Sequence, residues 1–270
     1  MHASKHATRL ARRVLPESVF RSLRQRHVAG LVKRYEAWDR VGIYGDLKLK
    51  IRIADPLAEG WYGHDWEVLP EISMLREVGA LRPGACVFDL GAHQGVVALM
   101  LAQDVGPEGY VLAVEAEPHN ARIAEINKQA NGASNLDVLN AAITEKDGST
   151  FFSESLNGSV STVRGGTAEV AAWTVDTLAM KHRPPDVVFM DIEGYEGRAL
   201  PAALRTIASG AVFFVEVHVE TLVDATPDGL MRLFSGRDVY IATDPNSDFY
   251  SFLRWDGSAL PPHRFYVIAV

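Results

Sequence analysis

The sequence predicts an α/β fold, in which a parallel sheet carries helices on both faces. From residue 85 onward, short apolar segments of strand length alternate with segments of helix length. Such alternation is typical of a parallel sheet, because each parallel connection needs a crossover that is usually a helix. The predicted strands are 85–90, 110–115, 136–140, 187–191, 212–217, 238–242 and 265–269, and the predicted helices are 95–105, 118–130, 196–208 and 226–235.

Three regions divide the chain. Residues 1–40 read as a basic helical arm, with ten Lys or Arg against three acids, although the whole chain of 270 residues has a net charge of −7. Residues 41–84 form an extension with a half-exposed strand at 47–53 and a helix that carries Pro70 in its first turn and ends near Gly79. Residues 85–270 form the main domain, which is interrupted at 150–177 by extra strands or a flap.

The charge and the single cysteine limit the expected surroundings. The basic arm docks either on the acidic body or on an anionic membrane surface, so peripheral membrane contact through residues 1–40 is one alternative. We expect no nucleic-acid partner. Cys86 is the only cysteine, and no apolar run reaches the roughly 18–20 residues of a membrane span. A cytoplasmic protein is therefore expected.

The stretch "VFDLGAHQGVVALMLA" predicts a strand, a tight glycine turn and a helix. Gly91 and Gly95 allow the backbone to turn sharply and to approach a ligand closely. Glu115 ends the next strand, 20 residues beyond Gly95, where an acid accepts hydrogen bonds from the ribose hydroxyls of a nucleoside. The candidate cofactor-binding residues here are Asp89, Gly91, Ala92, His93, Gly95, Glu115 and Ala116.

This geometry fits either NAD or S-adenosylmethionine, and the glycine spacing favours the second. A dinucleotide site requires G-x-G-x-x-G, but His93 stands at the position of the second glycine. S-adenosylmethionine has no phosphate, so it tolerates a bulkier loop. Asp89 then lies near its ammonium group. An NAD-dependent oxidoreductase remains the alternative enzyme.

Residues from about 60 to 220 resemble the FkbM-type family of S-adenosylmethionine-dependent methyltransferases. The stretches that carry the resemblance are "WYGHDWE", "VFDLGAHQG", "VEAEPHN", "NAAI", "WTVDTL", "MDIEGYEGRAL" and "FFVEVH". The resemblance implies a Rossmann-like class I methyltransferase fold with a seven-stranded mixed sheet, whose last strand, 265–269, is antiparallel. Residues 85–270 are then the methyltransferase domain.

The resemblance also implies a reaction and two further pocket residues. The reaction is O-methylation, often of a sugar hydroxyl on a glycoconjugate or natural product, so the expected partner is a small-molecule or glycan acceptor. Asn140 and Ala141 of "NAAI" would form the wall on the adenine side. Where family members often have a basic residue before the acid of the fourth strand, this chain has Met190.

Carboxylates cluster after the fourth and fifth strands. Asp191 ends the fourth strand, so it points into the crevice beside the glycine loop, where the cofactor's sulfonium would compensate its charge. We take Asp191, Glu193, Glu216 and His218 as candidate catalytic residues and Asp191 also as a cofactor contact. A general base is needed for the acceptor hydroxyl, and His218 has the most suitable ordinary pKa, about 6.5. Glu196 is expected to complement a helix dipole.

Two alternatives remain for this cluster. The same side chains include possible ligands of a divalent cation, but D-x-E at a strand end is a weak signal, and we predict that no metal is required. A non-catalytic adaptor with a degenerate pocket is the alternative outside the enzymes. Trp61, Tyr62 and Trp66 either stack on a sugar ring or only pack, and Trp173 is a weaker candidate for the acceptor wall.

Overall fold

The computed structural model describes residues 30, 32–152, 168–242 and 251–270. The strands are β1 (Trp38–Tyr44), β2 (Leu47–Ile53), β3 (Cys86–Leu90), β4 (Tyr110–Glu115), β5 (Leu136–Asn140), β6 (Ala142–Ile143), β7 (Gly148–Phe152), β8 (Ala168–Trp173), β9 (Val187–Met190), β10 (Val212–Val217), β11 (Val239–Ala242), β12 (Leu253–Arg254) and β13 (Phe265–Ala269). The helices are α1 (Pro56–Tyr62), α2 (Pro70–Glu77), α3 (Val96–Val105), α4 (Pro118–Ala130), α5 (Val175–Lys181), α6 (Glu196–Ala199), α7 (Leu204–Ala208) and α8 (Pro227–Leu233).

The main sheet confirms the predicted fold class. Its order is β12–β11–β13–β10–β9–β3–β4–β5. Strands β10, β9, β3, β4 and β5 are parallel to one another, and β13 is antiparallel to β10 and β11 on either side of it. The seven predicted strands are all present, and the two-residue β12 is added at the edge. The strand order changes direction between β3 and β9, which places their carboxyl ends at the crevice where α/β sheets bind ligands.

Two hydrophobic cores cover the two faces of this sheet. Successive strand side chains point to opposite faces, so Val87 contributes to one core and Phe88 to the other. The first core includes Leu75 of α2 and Met100 of α3, and the second includes Leu178 of α5. Burial on both faces explains why the strands are continuously apolar in sequence.

The N-terminal extension is attached to the main domain by buried polar contacts. β1 and β2 form an antiparallel hairpin, and Asp55 then caps α1 by accepting hydrogen bonds from the amides of Leu57 and Ala58. The other carboxylate oxygen of Asp55, which is fully buried, accepts a hydrogen bond of 2.6 Å from Gln94 in the glycine loop. The extension therefore holds α1 next to the crevice.

The structure differs from the sequence-based prediction at two places. Residues 38–40 belong to β1 rather than to the end of a helical arm. The predicted helix 196–208 is divided into α6, a 3₁₀ turn at Leu200–Ala202 and α7, because Pro201 has no amide hydrogen to donate to the helix.

Residues 1–29 and 31 lie outside the described residues, so the contact of the basic arm with the body or a membrane stays a prediction. The predicted interruption at 150–177 contains β7, β8 and the start of α5, and β6, β8 and β7 form a small separate sheet. Among the described residues, no helix is long and apolar enough to cross a membrane.

Candidate functional site

The glycine loop lies between β3 and α3 and is pressed against the end of β9. Gly91 has φ +92° and Gly95 has φ +78°, both in the region that favours glycine. A Cβ on Gly91 would lie 1.7 Å from the carbonyl oxygen of Asp191, so no larger residue fits there. This close approach brings the cofactor loop and the carboxylates that follow β9 into one crevice.

The crevice is a pocket at the carboxyl ends of β3, β4 and β9, where open α/β sheets bind their ligands. Its lining includes seven of the predicted site residues, next to apolar walls. The lining residues are Trp61, Gly91, His93, Val114, Glu115, Ala116, Ala141, Ile143, Asp191, Ile192 and Glu193.

Two buried carboxyl groups lie on the β3–β4 side, which we call the cofactor half. The two oxygens of Glu115 accept hydrogen bonds from the amides of His93 (2.8 Å) and Glu117 (2.7 Å), which fixes the carboxylate and leaves one lone pair on each oxygen. Burial outweighs these bonds and raises the pKa of Glu115 to about 8. Burial also raises the pKa of Asp89 to about 7, and its Oδ2 has no hydrogen-bond partner among the described residues.

The extension supplies one wall of the cofactor half. His93 has φ +50°, and its Nδ1 is 2.7 Å from the hydroxyl of Tyr62. The ring of Trp61 packs edge-on against His93, with 4.9 Å between ring centroids, and Trp61 lines the pocket with 38% of its surface exposed. Tyr62 is buried and supports the loop rather than facing the pocket.

Four carboxyl groups surround His218 on the β9–β10 side, and we call Asp191, Glu193, Glu196 and Glu216 the acid cluster. The Nε2 atom of His218 lies 3.7 Å from Asp191, 3.6 Å from Glu193 and 3.5 Å from Glu216. Its Nδ1 atom lies 3.1 Å from Oε1 of Glu196, which is fully buried. The ring is thus held between the buried carboxylate of Glu196 and three others, of which Asp191 and Glu193 line the pocket.

The electrostatics of the acid cluster shift the pKa of His218 away from the ordinary value of an imidazole. Burial alone would lower that pKa, but the hydrogen bond to Glu196 and the charges of Asp191, Glu196 and Glu216 outweigh it and raise the pKa to about 9. Burial and the neighbouring carboxylates also raise the pKa of Asp191 well above its ordinary value. Burial raises the pKa of Glu193 and of Glu216.

The spacing of Asp191, Glu196 and His218 is compatible with a bound metal ion. Asp191, Glu196 and His218 each offer one ligand atom within 4.8 Å of the others. The carboxylates around His218 stabilise a proton on its imidazole, however, and a metal would bind only after displacing that proton. The geometry therefore favours an internal ion pair, and the prediction that no metal is required stays a prediction.

Several predicted residues lie behind the pocket instead of lining it. The side-chain amide of Asn140 donates to the carbonyls of Glu115 (2.8 Å) and Ala116 (3.0 Å), so it supports the end of β4. Asp89, Ala92 and Gly95 shape the loop from beneath, and Glu216 and His218 join the pocket only through Asp191 and Glu193.

Sequence reasoning missed two members of the site. It assigned Glu196 to a helix dipole, because helical spacing does not show that its carboxylate turns back to accept the amide of Gly194 (3.1 Å). Arg264 lies 3.0 Å from Glu216 and supplies a cation that Met190 does not. No local signal indicates Arg264, because β13 is inserted beside β10 from the far end of the chain.

The pocket residues fit S-adenosylmethionine. Glu115, which lines the pocket, has free lone pairs for the ribose hydroxyls. Asp89, behind the lining, carries a buried oxygen without a hydrogen-bond partner among the described residues. Asp191 also has a buried oxygen, Oδ1, without a hydrogen-bond partner in the described part of the chain, and it would face the sulfonium. Gly91 also lines the pocket, so the backbone of the loop is open to a ligand at this point.

Two known methyltransferases are similar to parts of this chain. An arsenite methyltransferase from Halobacterium salinarum is 38% identical over 58 residues, which are 22% of this chain and 15% of that protein. A protein-L-isoaspartate O-methyltransferase from Ignicoccus hospitalis is 35% identical over 68 residues, 25% of this chain and 32% of that protein. The chain thus spans less than a third of either relative.

Two solved methyltransferase structures are similar to this chain at low identity, with TM-scores below 0.5. A methyltransferase FkbM from Methylobacillus flagellatus has a TM-score of 0.48 and 15% identity, and the alignment covers 69% of this chain and 43% of that chain. An O-methyltransferase from Bacillus cereus, solved with S-adenosylhomocysteine, has a TM-score of 0.44 and 17% identity over 76% of this chain and 82% of that chain.

The family model described as the methyltransferase FkbM domain matches residues 89–235. This range is more than half of the chain and extends from Asp89 at the glycine loop, through the acid cluster, to the end of α8. The chain therefore belongs to the FkbM family of methyltransferases, whose cofactor is S-adenosylmethionine.

Proposed function

We propose that the protein is an O-methyltransferase that transfers the methyl group of S-adenosylmethionine to a hydroxyl of a sugar or glycoconjugate. The observation that carries this proposal is the position of His218, whose Nε2 faces two carboxylates that line the cofactor pocket. Methyl transfer to a hydroxyl needs a group that accepts the hydroxyl proton, and this part of the pocket supplies proton acceptors.

The side chains of this chain have distinct parts in that reaction. When bound, the cofactor supplies an electrophilic methyl group on a cationic sulfur. Asp191 and Glu193 lie at the pocket surface and position the acceptor hydroxyl, and positioning is worth up to about 7–11 kcal/mol of the barrier. His218 is the proton acceptor that Glu196 holds in place, and a general base contributes roughly 10²- to 10⁴-fold.

An aromatic side chain at the pocket supports a carbohydrate acceptor. Trp61 is partly exposed and lines the same pocket as Glu193. An exposed indole next to carboxylates offers a flat apolar surface for a sugar ring and hydrogen-bond acceptors for its hydroxyls. This arrangement supports the proposal more weakly than His218 does.

A labelling experiment tests the reaction. Purified protein is incubated with a donor that carries a deuterated methyl group and with glycans extracted from cells, and the products are analysed by mass spectrometry. We expect an alkali-stable methyl ether on a sugar, and His218→Gln should lower the rate by roughly 10²-fold or more. His182→Gln is the matched control, because His182 stacks on Tyr110 outside the pocket lining.

The alternatives predict other outcomes. Label found only in esters or amines would exclude O-methylation of sugars. Binding of S-adenosylhomocysteine without transfer to any extract would favour the adaptor with a degenerate pocket. The NAD-dependent oxidoreductase is not proposed again, because the family uses S-adenosylmethionine.

A further inference from the structure

The acid cluster holds more negative than positive charge. Six charged or titratable groups face His218 from the elements around it, and five of them are acids. They are Asp191 after β9, Glu193 in the following turn, Glu196 on α6, Glu216 on β10, Glu220 after β10 and Arg264 before β13. Among the described residues, the imidazolium of His218 and the guanidinium of Arg264 are the cations of this group. A positive charge on His218 is therefore stabilised by its surroundings.

The orientation of the His218 ring decides which nitrogen exchanges its proton. Oε1 of Glu196 accepts the amide of Gly194 at 3.1 Å, so this oxygen acts as an acceptor. The contact of 3.1 Å to the ring therefore requires Nδ1 of His218 to donate its hydrogen. Nε2 is left facing Asp191, Glu193 and Glu216 at 3.5–3.7 Å, and the exchangeable proton is on Nε2.

The acid cluster and the cofactor pocket share two carboxylates. Asp191 and Glu193 line the pocket and also contact Nε2 of His218. A cationic sulfur bound against Asp191 therefore occupies the same electrostatic environment as the proton on Nε2. Two cations that share one set of carboxylates repel each other, so binding of one weakens binding of the other.

We propose that the sulfonium of the methyl donor and the Nε2 proton of His218 are alternative occupants of the acid cluster, so that donor binding expels this proton. The inference rests on the cofactor assigned in the proposed function but not on the acceptor. It means that His218, protonated in the cofactor-free protein, becomes a neutral base only when the methyl donor is present.

The charges of the transfer step then balance within the pocket. The carbon–sulfur bond breaks with its electron pair left on sulfur, the acceptor oxygen forms the new bond to the methyl carbon, and the hydroxyl proton moves to Nε2 of His218. One positive charge is present on sulfur before the step and on the imidazolium after it. The acid cluster therefore keeps a compensating cation throughout, and the neutral product leaves without an electrostatic attraction to Asp191.

Proton release on ligand binding tests this exchange without an acceptor. Calorimetric titrations at pH 7.5, in buffers of different ionisation enthalpy and with a chelator present, count the protons released by S-adenosylmethionine and by S-adenosylhomocysteine. The two ligands share their adenosine and amino-acid groups, so contributions from Asp89 and Glu115 cancel. We expect the cationic donor to release close to one proton more than the neutral product.

Affinities measured against pH give a second readout. Between about pH 7 and pH 9, the ratio of donor affinity to product affinity should rise by up to tenfold per pH unit, and it should level off above about pH 9. Glu196→Gln removes a charge beside His218, so it should move the end of this rise to lower pH. A merely structural role of Glu196 would not shift it.

His218→Gln should abolish the difference in proton release between the two ligands and the pH dependence of their affinity ratio. The control His182→Gln should keep both. Equal proton release by the two ligands in the wild-type protein overturns the inference, and the proposed function is unaffected. A difference that survives in His218→Gln also overturns it, since Asp191 is then the source of the proton. If neither ligand binds, the cofactor assignment and the inference both fail.

Discussion

The two halves of the pocket both contain buried acids, but they are built differently. The cofactor half takes its acids from β3 and β4, which are adjacent both in sequence and in the sheet. The acid cluster, His218 and Arg264 come from the end of β9, from α6, from β10 and its end, and from the segment before β13, which span residues 191 to 264. Local sequence therefore defines the first half, and the sheet topology assembles the second.

The electrostatic compensation of the two halves also differs. The amides of His93 and Glu117 hold Glu115, and Asp89 has no cation beside it in the described residues, so both pKa values are raised mainly by burial. In the acid cluster, the carboxylates repel one another and are compensated by His218 and Arg264. The cofactor half can accept a cation from a ligand, whereas the acid cluster already contains an exchangeable one.

The contact of Gly91 with Asp191 joins the two halves, and breaking it should have the largest effect. In Gly91→Ala the new Cβ would lie 1.7 Å from a backbone oxygen, and the residue would keep φ +92°. We expect a loss of about 4 kcal/mol or more in the free energy of unfolding. Urea denaturation followed by circular dichroism measures it.

Gly210→Ala is the matched control for this prediction. Gly210 has φ +89°, and a Cβ there would have nothing within 4 Å. Gly210→Ala should lower the free energy of unfolding by about 1–2 kcal/mol, which is the cost of left-handed backbone at an alanine alone. Equal losses of unfolding free energy in Gly91→Ala and Gly210→Ala would show that Gly91 and the carbonyl of Asp191 are not in close contact.

Removing the acid of the cofactor half should weaken binding of the neutral product. We expect Glu115→Ala to lower the affinity for S-adenosylhomocysteine by about 100-fold, because a hydrogen bond to a charged group is worth about 1.5–3 kcal/mol. Glu216→Gln should change that affinity by less than about threefold, because the product has no sulfonium for the acid cluster to stabilise. Isothermal titration calorimetry measures both.

Glu108→Ala is the surface control, since Glu108 is exposed and lies outside the pocket lining. An unchanged affinity in Glu115→Ala would exclude the ribose role. A large loss of affinity for S-adenosylhomocysteine in Glu216→Gln would show that the charge of the acid cluster also affects binding of the neutral product.

A separate effect is expected on the pH dependence of stability without cofactor. The pKa of Asp89 rises from its ordinary 3.8 to about 7 on folding, so the folded state binds more protons than the unfolded state between these values. This contribution to stability is complete below about pH 4 and is lost as the pH rises through 7. Thermal melts from pH 5 to pH 8 should show a falling melting temperature, at about 2–4 °C per kcal/mol.

Asp89→Asn should flatten this part of the profile, because an amide does not titrate. Asp137→Asn, which changes an exposed carboxyl group outside the pocket lining, should keep the slope of the wild-type protein. Parallel profiles for Asp89→Asn and the wild type would mean that Asp89 is solvated or paired in solution.

Much of the fold could be predicted because its signals are local. The strand limits were predicted to within one residue, since a strand buried on both faces is a continuous apolar run that ends where polar turn residues begin. Pro118 and Gly95 mark helix starts by the same local logic. The prediction was wrong for residues 38–40 and for the continuous helix 196–208, where pairing with β2 and Pro201 decided the structure.

The sequence by itself determined the α/β architecture, the glycine loop and the acid at the end of β4, because each depends on residues close together in the chain. Only the tertiary structure decided that Glu196 faces His218, that Arg264 contacts Glu216, and that Tyr62 supports His93. The raised pKa of His218 was also decided only by the tertiary structure. A pKa depends on the distances of all charges around the ring, and strands distant in sequence set those distances only after the sheet has formed.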